Sequence, residues 1–205
     1  DINNGIGVTH QWGRYIKSDH NNPNTIYTTA GNTIYRSENN GDNWSIFTSG
    51  DVPYVDIGSI AISKKELPNI YFSGVTTDSI YVHKIDSEVF DFINISNGLP
   101  RKHLDPSTGN TTFPFVYTYT SEVLKDNVYV VMRGLGNHIK SKRVFASADN
   151  GSTWENISGN LPDLPFTCLQ VHPNDPSVMV LGTDGFGIYH TNDGGKNWSI
   201  WNENV

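Results

Sequence analysis

The sequence predicts an all-β protein, a β-propeller segment made of four blades that each contain four antiparallel strands. Two observations carry this prediction: a turn pattern ending in tryptophan occurs three times, and short alternating apolar strands surround each copy. Helical periodicity is nearly absent from the 205 residues. When Phe90 is counted as the tryptophan position of a fourth, degenerate copy, successive positions lie 44 to 64 residues apart, close to the ~40–50 residues that are typical of blade repeats.

The repeated turn reads Ser/Thr-x-Asp/Asn-x-Gly-x-Thr/Asn-Trp and follows an Ile/Val-Tyr/Phe strand. The acid or amide is expected to accept hydrogen bonds from backbone N–H groups of the turn, and the glycine supplies a positive φ. The tryptophan is expected to open the return strand and to pack between neighbouring sheets. The pattern therefore predicts a structural role for the residues at its four defining positions, which are Ser37, Asn39, Gly41 and Trp44; Ser147, Asp149, Gly151 and Trp154; and Thr191, Asp193, Gly195 and Trp198.

A fourth, degenerate copy is predicted between the first two. Seven positions separate His83 from Phe90, as they separate Ser37 from Trp44, so Phe90 is assigned the place of the tryptophan. The glycine and the acid are lost, and we therefore expect a different turn. Because this copy has already lost the hydrogen bonds of the repeated turn, the replacement His83→Ser is expected to be nearly silent.

The repeats divide the chain into blades and a few other segments. The predicted blades are residues 9–50, 51–99, 112–162 and 163–205, with 1–8 as the end of a preceding blade and 100–114 as an insertion. The chain begins and ends at the same phase of the repeat. It is therefore either a closed ring of four blades or, as the start within a repeat favours, an arc of a larger propeller. An arc would leave apolar blade faces for further blades or another subunit.

These residues resemble the Asp-box (BNR) repeat superfamily. Its members include sialidases, xyloglucanase-like glycoside hydrolases, sortilin-type receptor domains and secreted bacterial surface proteins. The sequence from Asn174 to Trp198 is most similar to that of secreted bacterial xyloglucanase-like and sortilin-like propellers. The resemblance implies the fold and an extracellular or cell-surface location, but one fold hosts many activities.

Composition excludes several classes of function. The net charge is −7 and lysine and arginine form no cluster, so nucleic acid is not an expected partner. No membrane span is expected, since no apolar run is long enough. Cys168 is the single cysteine, which excludes an internal disulfide. Because it lies in an alternating apolar run with Phe166 and Gln170, its thiol is predicted to be buried. The seven histidines stand singly, and neither a metal site nor a cofactor is predicted.

A catalytic set is not evident. The resemblance to sialidases implies three arginines that clamp a carboxylate, but no Arg-Ile-Pro sequence precedes the boxes here. A xyloglucanase-like hydrolase implies two acids, which an inverting mechanism holds about 6.5–9.5 Å apart. Asp184, in Gly-Thr-Asp-Gly-Phe-Gly, occupies the loop where that family places an acid, and Asp78 offers a second acid without flanking glycines. A turn aspartate is the simpler interpretation of Asp184.

Aromatic residues in or near loops and strand ends are the better indication of a binding surface, because aromatic faces stack on sugars or hold peptides. These candidates are Trp12, Tyr54, Phe113, Tyr117, Tyr119, Phe186 and Trp201. Packing between blades is the alternative role for them. The sequence thus favours a secreted or surface-displayed, non-catalytic module that binds glycan or protein. The alternatives are a fragment of a xyloglucanase-like hydrolase and a sortilin-like peptide-binding receptor domain.

Overall fold

The computed structural model describes residues 6, 13–48, 56–75, 79–86, 88, 90–100, 103–104, 111–112, 115–133 and 142–201. These residues form strands and turns, with four four-stranded sheets in which strand order follows chain order and every pairing is antiparallel. No helix long and apolar enough to cross a membrane is found in this part of the chain. The all-β prediction of four four-stranded blades is confirmed.

Each sheet is one blade, and a short hairpin lies between the second and third. The strands in chain order are, for blade 1, β1 (Gly13–Ser18), β2 (Ile26–Ala30), β3 (Thr33–Ser37) and β4 (Ser45–Thr48); for blade 2, β5 (Asp56–Ile62), β6 (Ile70–Val75), β7 (Ile80–Asp86) and β8 (Asp91–Asn94); for the hairpin, β9 (His103–Leu104) and β10 (Thr111–Thr112); for blade 3, β11 (Phe115–Thr120), β12 (Val128–Arg133), β13 (Val144–Ser147) and β14 (Glu155–Asn156); and for blade 4, β15 (Phe166–His172), β16 (Asp175–Thr183), β17 (Ile188–Thr191) and β18 (Ser199–Ile200).

The first strands of successive blades contact one another, β1 with β5, β5 with β11 and β11 with β15, which places them on the inside of the arc. Hydroxyl groups link two of them: Ser59 Oγ accepts a hydrogen bond from the backbone N–H of Thr118 at 2.7 Å. The Thr120 hydroxyl donates to the carbonyl of Ile62 at 2.9 Å. Buried apolar side chains fill the three spaces between neighbouring blades. The core is therefore divided into three layers, each shared by two blades.

Three hairpins organise the outer strands; we call residues 37–44, 147–154 and 191–198 the tryptophan hairpins. In the second of these, Ser147 Oγ accepts a hydrogen bond from the N–H of Gly151 and Asp149 Oδ1 accepts one from the N–H of Thr153, both at 2.8 Å. The other two hairpins make the same two bonds. Hydrogen bonds from the hydroxyls of Thr153 and Ser147 lower the pKa of Asp149 to about 2. The side chains of the pattern thus replace backbone partners that a tight turn lacks.

The tryptophans of blades 3 and 4 also tie each blade to the one before it. The indole N–H of Trp154 donates to the carbonyl of Ile95 at 2.7 Å, and that of Trp198 donates to the carbonyl of Ile157 at 2.9 Å. Ile95 and Ile157 lie just after the last strands of blades 2 and 3. The turn glycine packs on the same segment, because a Cβ added at Gly151 would lie 2.5 Å from Cδ1 of Ile95. We call this arrangement of indole, carbonyl and glycine the interblade latch.

The assignment of Phe90 to the tryptophan place is wrong by two residues. Strand pairing in blade 2 sets Ile85 opposite Phe92. In blade 3 the pairing of Ala146 with Glu155, continued by one residue on each strand, sets Ser147 opposite Trp154. Phe92 therefore occupies the position of the tryptophan. Phe92, at 38% exposure, contacts Phe72 edge-on with ring centroids 6.1 Å apart, whereas Phe90 is 67% exposed. The offset of seven positions between the two ends of the hairpin is correct, but it starts at Ile85.

The interpretation of Cys168 as buried is also wrong. Cys168 is exposed, on the face of β15 opposite Leu169 and Val171, which are buried against blade 3. In blade 3 the equivalent position is Tyr117, which packs against the core shared with blade 4. The cysteine is exposed because it lies on the blade 4 face that no described blade covers.

Candidate functional site

The loop between β16 and β17 contains Asp184, one of the two candidate acids. The Asp184 carboxylate forms an ion pair with the guanidinium of Arg133, at the end of β12 in the neighbouring blade. Its backbone N–H donates to the carbonyl of Pro165 at 2.9 Å. The carboxylate is thus held by a cation from blade 3 and serves a contact between blades. The other candidate acid, Asp78, lies outside the described residues.

The same loop presents Phe186 to solvent, with 54% of the residue exposed. The Thr183 hydroxyl donates to the carbonyl of Gly187 at 2.6 Å and accepts from the N–H of Phe186 at 3.0 Å. Gly185 and Gly187 flank the phenylalanine with φ of 84° and 91°, a backbone that side chains other than glycine rarely adopt. The loop is therefore built to hold an exposed ring in a fixed place.

Trp201 is the second described aromatic candidate, and it is 57% exposed. Its backbone N–H donates to the carbonyl of Ile188 at 2.7 Å, and its ring lies 5.6 Å from that of His190. Ile188 is itself 46% exposed. By position, Trp201 corresponds to Ile157, whose N–H bonds to Val144 in the same way. Blade 4 therefore carries an exposed apolar surface where blade 3 packs on its neighbour.

The remaining aromatic candidates divide into two groups. Trp12, Tyr54 and Phe113 lie outside the described residues. Tyr117 and Tyr119 lie within β11 and pack against the core shared by blades 3 and 4, so the alternative role of packing between blades applies to both. The Tyr119 hydroxyl donates to the carbonyl of Thr167 at 3.3 Å, and burial raises the pKa of Tyr119.

Sequence reasoning missed one charged pair between blades 3 and 4. Arg143 precedes β13, is only 1% exposed and forms an ion pair with Asp163. A buried arginine is costly without such a partner. Nothing in the sequence around Arg143 distinguishes it from a surface arginine. Together with the pair of Arg133 and Asp184, it gives this junction two ion pairs.

The inner strands of all four blades line a cavity of about 310 Å³ at the ends of β1, β5, β11 and β15. Polar groups around it include His20, Gln170 and Glu122, whose carboxylate pairs with Lys64 at 2.8 Å. Burial and the neighbouring charge of Lys64 lower the pKa of His20. Among the described residues no group of three or more His, Cys, Asp or Glu side chains could hold a metal ion. The cavity is thus a mixed polar and apolar site without a clustered charge.

The four sheets and their shared layers define the chain as a β-propeller segment of four blades. No family model and no curated protein matches the sequence. Solved propeller structures do match. The GH74 xyloglucanase from Xanthomonas campestris superposes with a TM-score of 0.64 and 14% identity over 88% of this chain and 28% of that chain. The YCF48 structure bound to a D1 peptide superposes with a TM-score of 0.58 and 13% identity over 95% of this chain and 54% of that chain.

The Dos1 propeller is a further match, with a TM-score of 0.54 and 12% identity over 90% of this chain and 46% of that chain. At these identities the likeness shows the fold alone. The chain covers between about a quarter and just over half of the lengths of these three proteins. They include an enzyme and a structure solved with a peptide, so shared blades do not decide between catalysis and binding.

Proposed function

We propose that the chain is a non-catalytic binding module of an Asp-box propeller, secreted or displayed at a cell surface, which holds a protein or glycan partner. The observation that carries the proposal is that two side chains of the β16–β17 loop have different environments. Its acid, Asp184, is engaged by Arg133, whereas Phe186 beside it is exposed on a loop ordered by Thr183. The loop is thus organised to present an aromatic ring.

The exposed side of blade 4 supports the same proposal. Phe186, Ile188 and Trp201 expose between 46% and 57% of their surfaces within one loop and the strand ends beside it. Monomeric proteins rarely leave large apolar side chains together in water unless a partner covers them. Part of this face corresponds to the surface by which blade 3 packs on blade 4, so remaining blades of a longer chain or another subunit are also proposed partners. Peptide binding is consistent with the likeness to YCF48, which was solved with a bound peptide.

The test uses the chain against an array of plant and microbial glycans and a library of displayed peptides. We expect binding without turnover, and we expect the double variant Phe186→Ala, Trp201→Ala to bind at least tenfold more weakly. Phe90→Ala is the control, because Phe90 is an aromatic residue on blade 2 that is at least as exposed. Its loss should leave the affinity unchanged. Binding that is indifferent to both aromatic residues would contradict the proposal.

A xyloglucanase-like glycoside hydrolase is the second candidate, favoured by the superposition on the xyloglucanase. In that case Asp184 would supply one carboxyl group, and its partner acid would come from Asp78 or from elsewhere in a longer protein. Release of reducing sugar from β-glucans or xyloglucan oligosaccharides, lost in Asp184→Asn, would establish this candidate in place of the first. We expect no release, and equal glycan binding by the chain and by Asp184→Asn.

A further inference from the structure

A cavity of about 360 Å³ lies between blades 3 and 4, beside the third tryptophan hairpin. It is well separated along the sheets from Phe186, because it opens among the turns at the other end of the strands. Polar and apolar groups both line it, including Leu124, Asn127, Tyr129, Ile157, Met179 and Gly194.

At the corresponding place between blades 2 and 3 the chain uses one of its own carboxamides. Asn150 Oδ1 accepts hydrogen bonds from the Tyr71 hydroxyl at 2.9 Å and from Asn69 Nδ2 at 3.1 Å. Its Nδ2 donates to Asp126 Oδ1 at 3.0 Å. The side chain of Asn150 thus reaches from blade 3 onto blade 2 and is bonded at both of its polar atoms.

Gly194 occupies the place of Asn150 in blade 4. Each is the third residue after the hydroxyl that begins its hairpin, and each has a positive φ, 57° for Asn150 and 76° for Gly194. The backbone N–H of Asn150 donates to the carbonyl of Asp126, and that of Gly194 donates to the carbonyl of Ser177, both at 2.9 Å. The two positions therefore have one backbone geometry, and only the side chain differs.

The groups that bind Asn150 also have counterparts. Asn127 Nδ2 donates to Tyr129 Oη at 3.3 Å, as Asn69 Nδ2 does to Tyr71 Oη at 3.5 Å. Asn150 is the acceptor for the hydroxyl of Tyr71. Tyr129 is only 3% exposed, and in the part of the chain described here its hydroxyl has no such acceptor. A buried hydroxyl donor that lacks an acceptor is costly, on the scale of a lost hydrogen bond.

The space for that acceptor exists, because a Cβ added at Gly194 would meet no atom within 4 Å. Ser177, which replaces Asp126, also lines the cavity, and its hydroxyl oxygen can accept an N–H. The cavity therefore offers two donors, an acceptor and apolar walls in the arrangement that holds Asn150 one blade earlier.

We propose that this cavity binds the carboxamide side chain of an asparagine or glutamine from a protein partner. The carbonyl oxygen accepts from the Tyr129 hydroxyl and Asn127 Nδ2, the amide N–H donates to Ser177, and the neighbouring stem packs on Ile157 and Met179. This assignment rests on the proposed binding function and names one side chain that the partner supplies.

The experiment titrates the ¹⁵N-labelled chain with the capped peptide acetyl-Gly-Asn-Gly-N-methylamide and follows amide chemical shifts. Saturable shifts are expected at Asn127, Tyr129 and Gly194. The peptide with leucine in place of asparagine has nearly the same shape and lacks the polar atoms, so it should bind at least tenfold more weakly. Equal shifts with both peptides would overturn the proposal.

The variant Gly194→Asn fills the cavity with the chain's own carboxamide. Asparagine accepts this backbone, since Asn40 and Asn150 adopt it with φ of 59° and 57°. We therefore expect a melting temperature no lower than that of the original chain and at least a tenfold loss of peptide affinity. Unchanged affinity in a folded Gly194→Asn would overturn the assignment.

Two further variants separate this site from the others. Tyr129→Phe removes the donor and should weaken binding, whereas Phe186→Ala should leave these shifts unchanged even if it abolishes binding of the whole partner. If the asparagine peptide does not bind while binding of the partner still depends on Phe186, the carboxamide site is ruled out and the proposed binding function remains. Binding of N-acetylglucosamine without binding of the asparagine peptide would also overturn the proposal, because the ligand would then be a glycan.

Discussion

Blades 2 and 3 close the same type of hairpin by different means. In blade 3, Ser147, Asp149 and Gly151 build the turn and Trp154 bonds to the carbonyl of Ile95 in the preceding blade. In blade 2 the corresponding hairpin contains no such pattern, and Phe92 contacts Phe72 of its own blade. Both hairpins are eight residues long, 85–92 and 147–154, so the length of the hairpin is independent of the contacts that hold it.

The difference lies in where each aromatic residue is used. Trp198 is 3% exposed and contacts blade 3, whereas Phe92 is 38% exposed. The layer between blades 1 and 2 is instead filled by buried isoleucines and aromatic residues, such as Ile34 of β3, Ile60 of β5 and Phe72 of β6. The tryptophan hairpin therefore acts as an interblade latch. The junction of blade 2 with blade 1 has apolar packing and the backbone hydrogen bond from the N–H of Ile57 to the carbonyl of Gly31 at 2.8 Å instead.

The largest expected effect is that of Trp198→Ala. Loss of a buried indole and its hydrogen bond should lower the free energy of unfolding by about 3–5 kcal/mol. Trp154→Ala should fall in or just below the same range, since Trp154 is half-buried. Urea unfolding followed by circular dichroism measures both. A cost under about 1 kcal/mol for Trp198→Ala would mean that the indole does not join the blades.

His83 is the second feature that sets blade 2 apart, because strand pairing places it level with Tyr35, Phe145 and Tyr189 of the other blades. It stacks on Phe72 with ring centroids 5.7 Å apart, and burial lowers its pKa to about 4. The expectation that His83→Ser is nearly silent therefore changes, and we expect it to be destabilising.

Acid provides a sharper test of His83. The unfolded chain takes up the proton near pH 6.5 and the folded chain only near pH 4, so stability present above pH 6.5 is lost as the pH falls towards 4. The loss should reach up to about 3 kcal/mol. His83→Phe keeps the stacked ring and should not show this loss when unfolding is measured across that range. Parallel pH profiles for the two chains would rule out His83 as the cause.

Phe92→Ala should cost less than either tryptophan variant. We expect about 1–2 kcal/mol, because the ring is only partly buried and makes no bond to a neighbouring blade. The comparison uses the same urea unfolding as for Trp198→Ala. A cost equal to that of Trp198→Ala would show that blade 2 carries an equivalent latch by another route.

The smallest expected effect concerns the acids of the tryptophan hairpins. Hydrogen bonds, from Thr153 and Ser147 in one case and from Asn197 in the other, lower the pKa of Asp149 and of Asp193 to about 2. Their contribution is present above about pH 4 and is lost as the pH falls to about 2. The double variant Asp149→Asn, Asp193→Asn, which copies the asparagine that blade 1 has at Asn39, should unfold with a flatter dependence on pH between 4 and 2. Acid titration by circular dichroism checks this.

Much of this architecture could be predicted from the sequence because turns need particular residues. Hydroxyl, acid, glycine and tryptophan recur at fixed spacing, and they predicted four four-stranded blades correctly. Where these residues are missing, as in blade 2, only strand pairing fixes the phase of the hairpin, and the sequence spacing points to Phe90 instead of Phe92. Pairing depends on contacts with distant strands, which a local pattern does not contain.

The candidate site was less predictable for a related reason. The exposure of Phe186 and Trp201 could be predicted because both follow strand ends. The exposure of Tyr117 and of Cys168 depends instead on which face of their strand another blade covers. Both occupy the same position in successive blades, yet one packs on a neighbour and the other is exposed. Likewise, the partner of Asp184 is Arg133, 51 residues away along the chain, and no local pattern joins them.

The most direct test of the interblade latch is a pair of double-mutant cycles. A Cβ at Gly151 would meet the side chain of Ile95, whereas a Cβ at Gly195 would lie 2.5 Å from the backbone oxygen of Ile157. Shortening Ile95 to alanine should therefore relieve part of the cost of Gly151→Ala, with a coupling energy of about 1–2 kcal/mol. Shortening Ile157 should relieve little of the cost of Gly195→Ala. Additive effects in the first cycle would contradict the account that the hairpin of one blade is fitted to the segment just after the last strand of the blade before it.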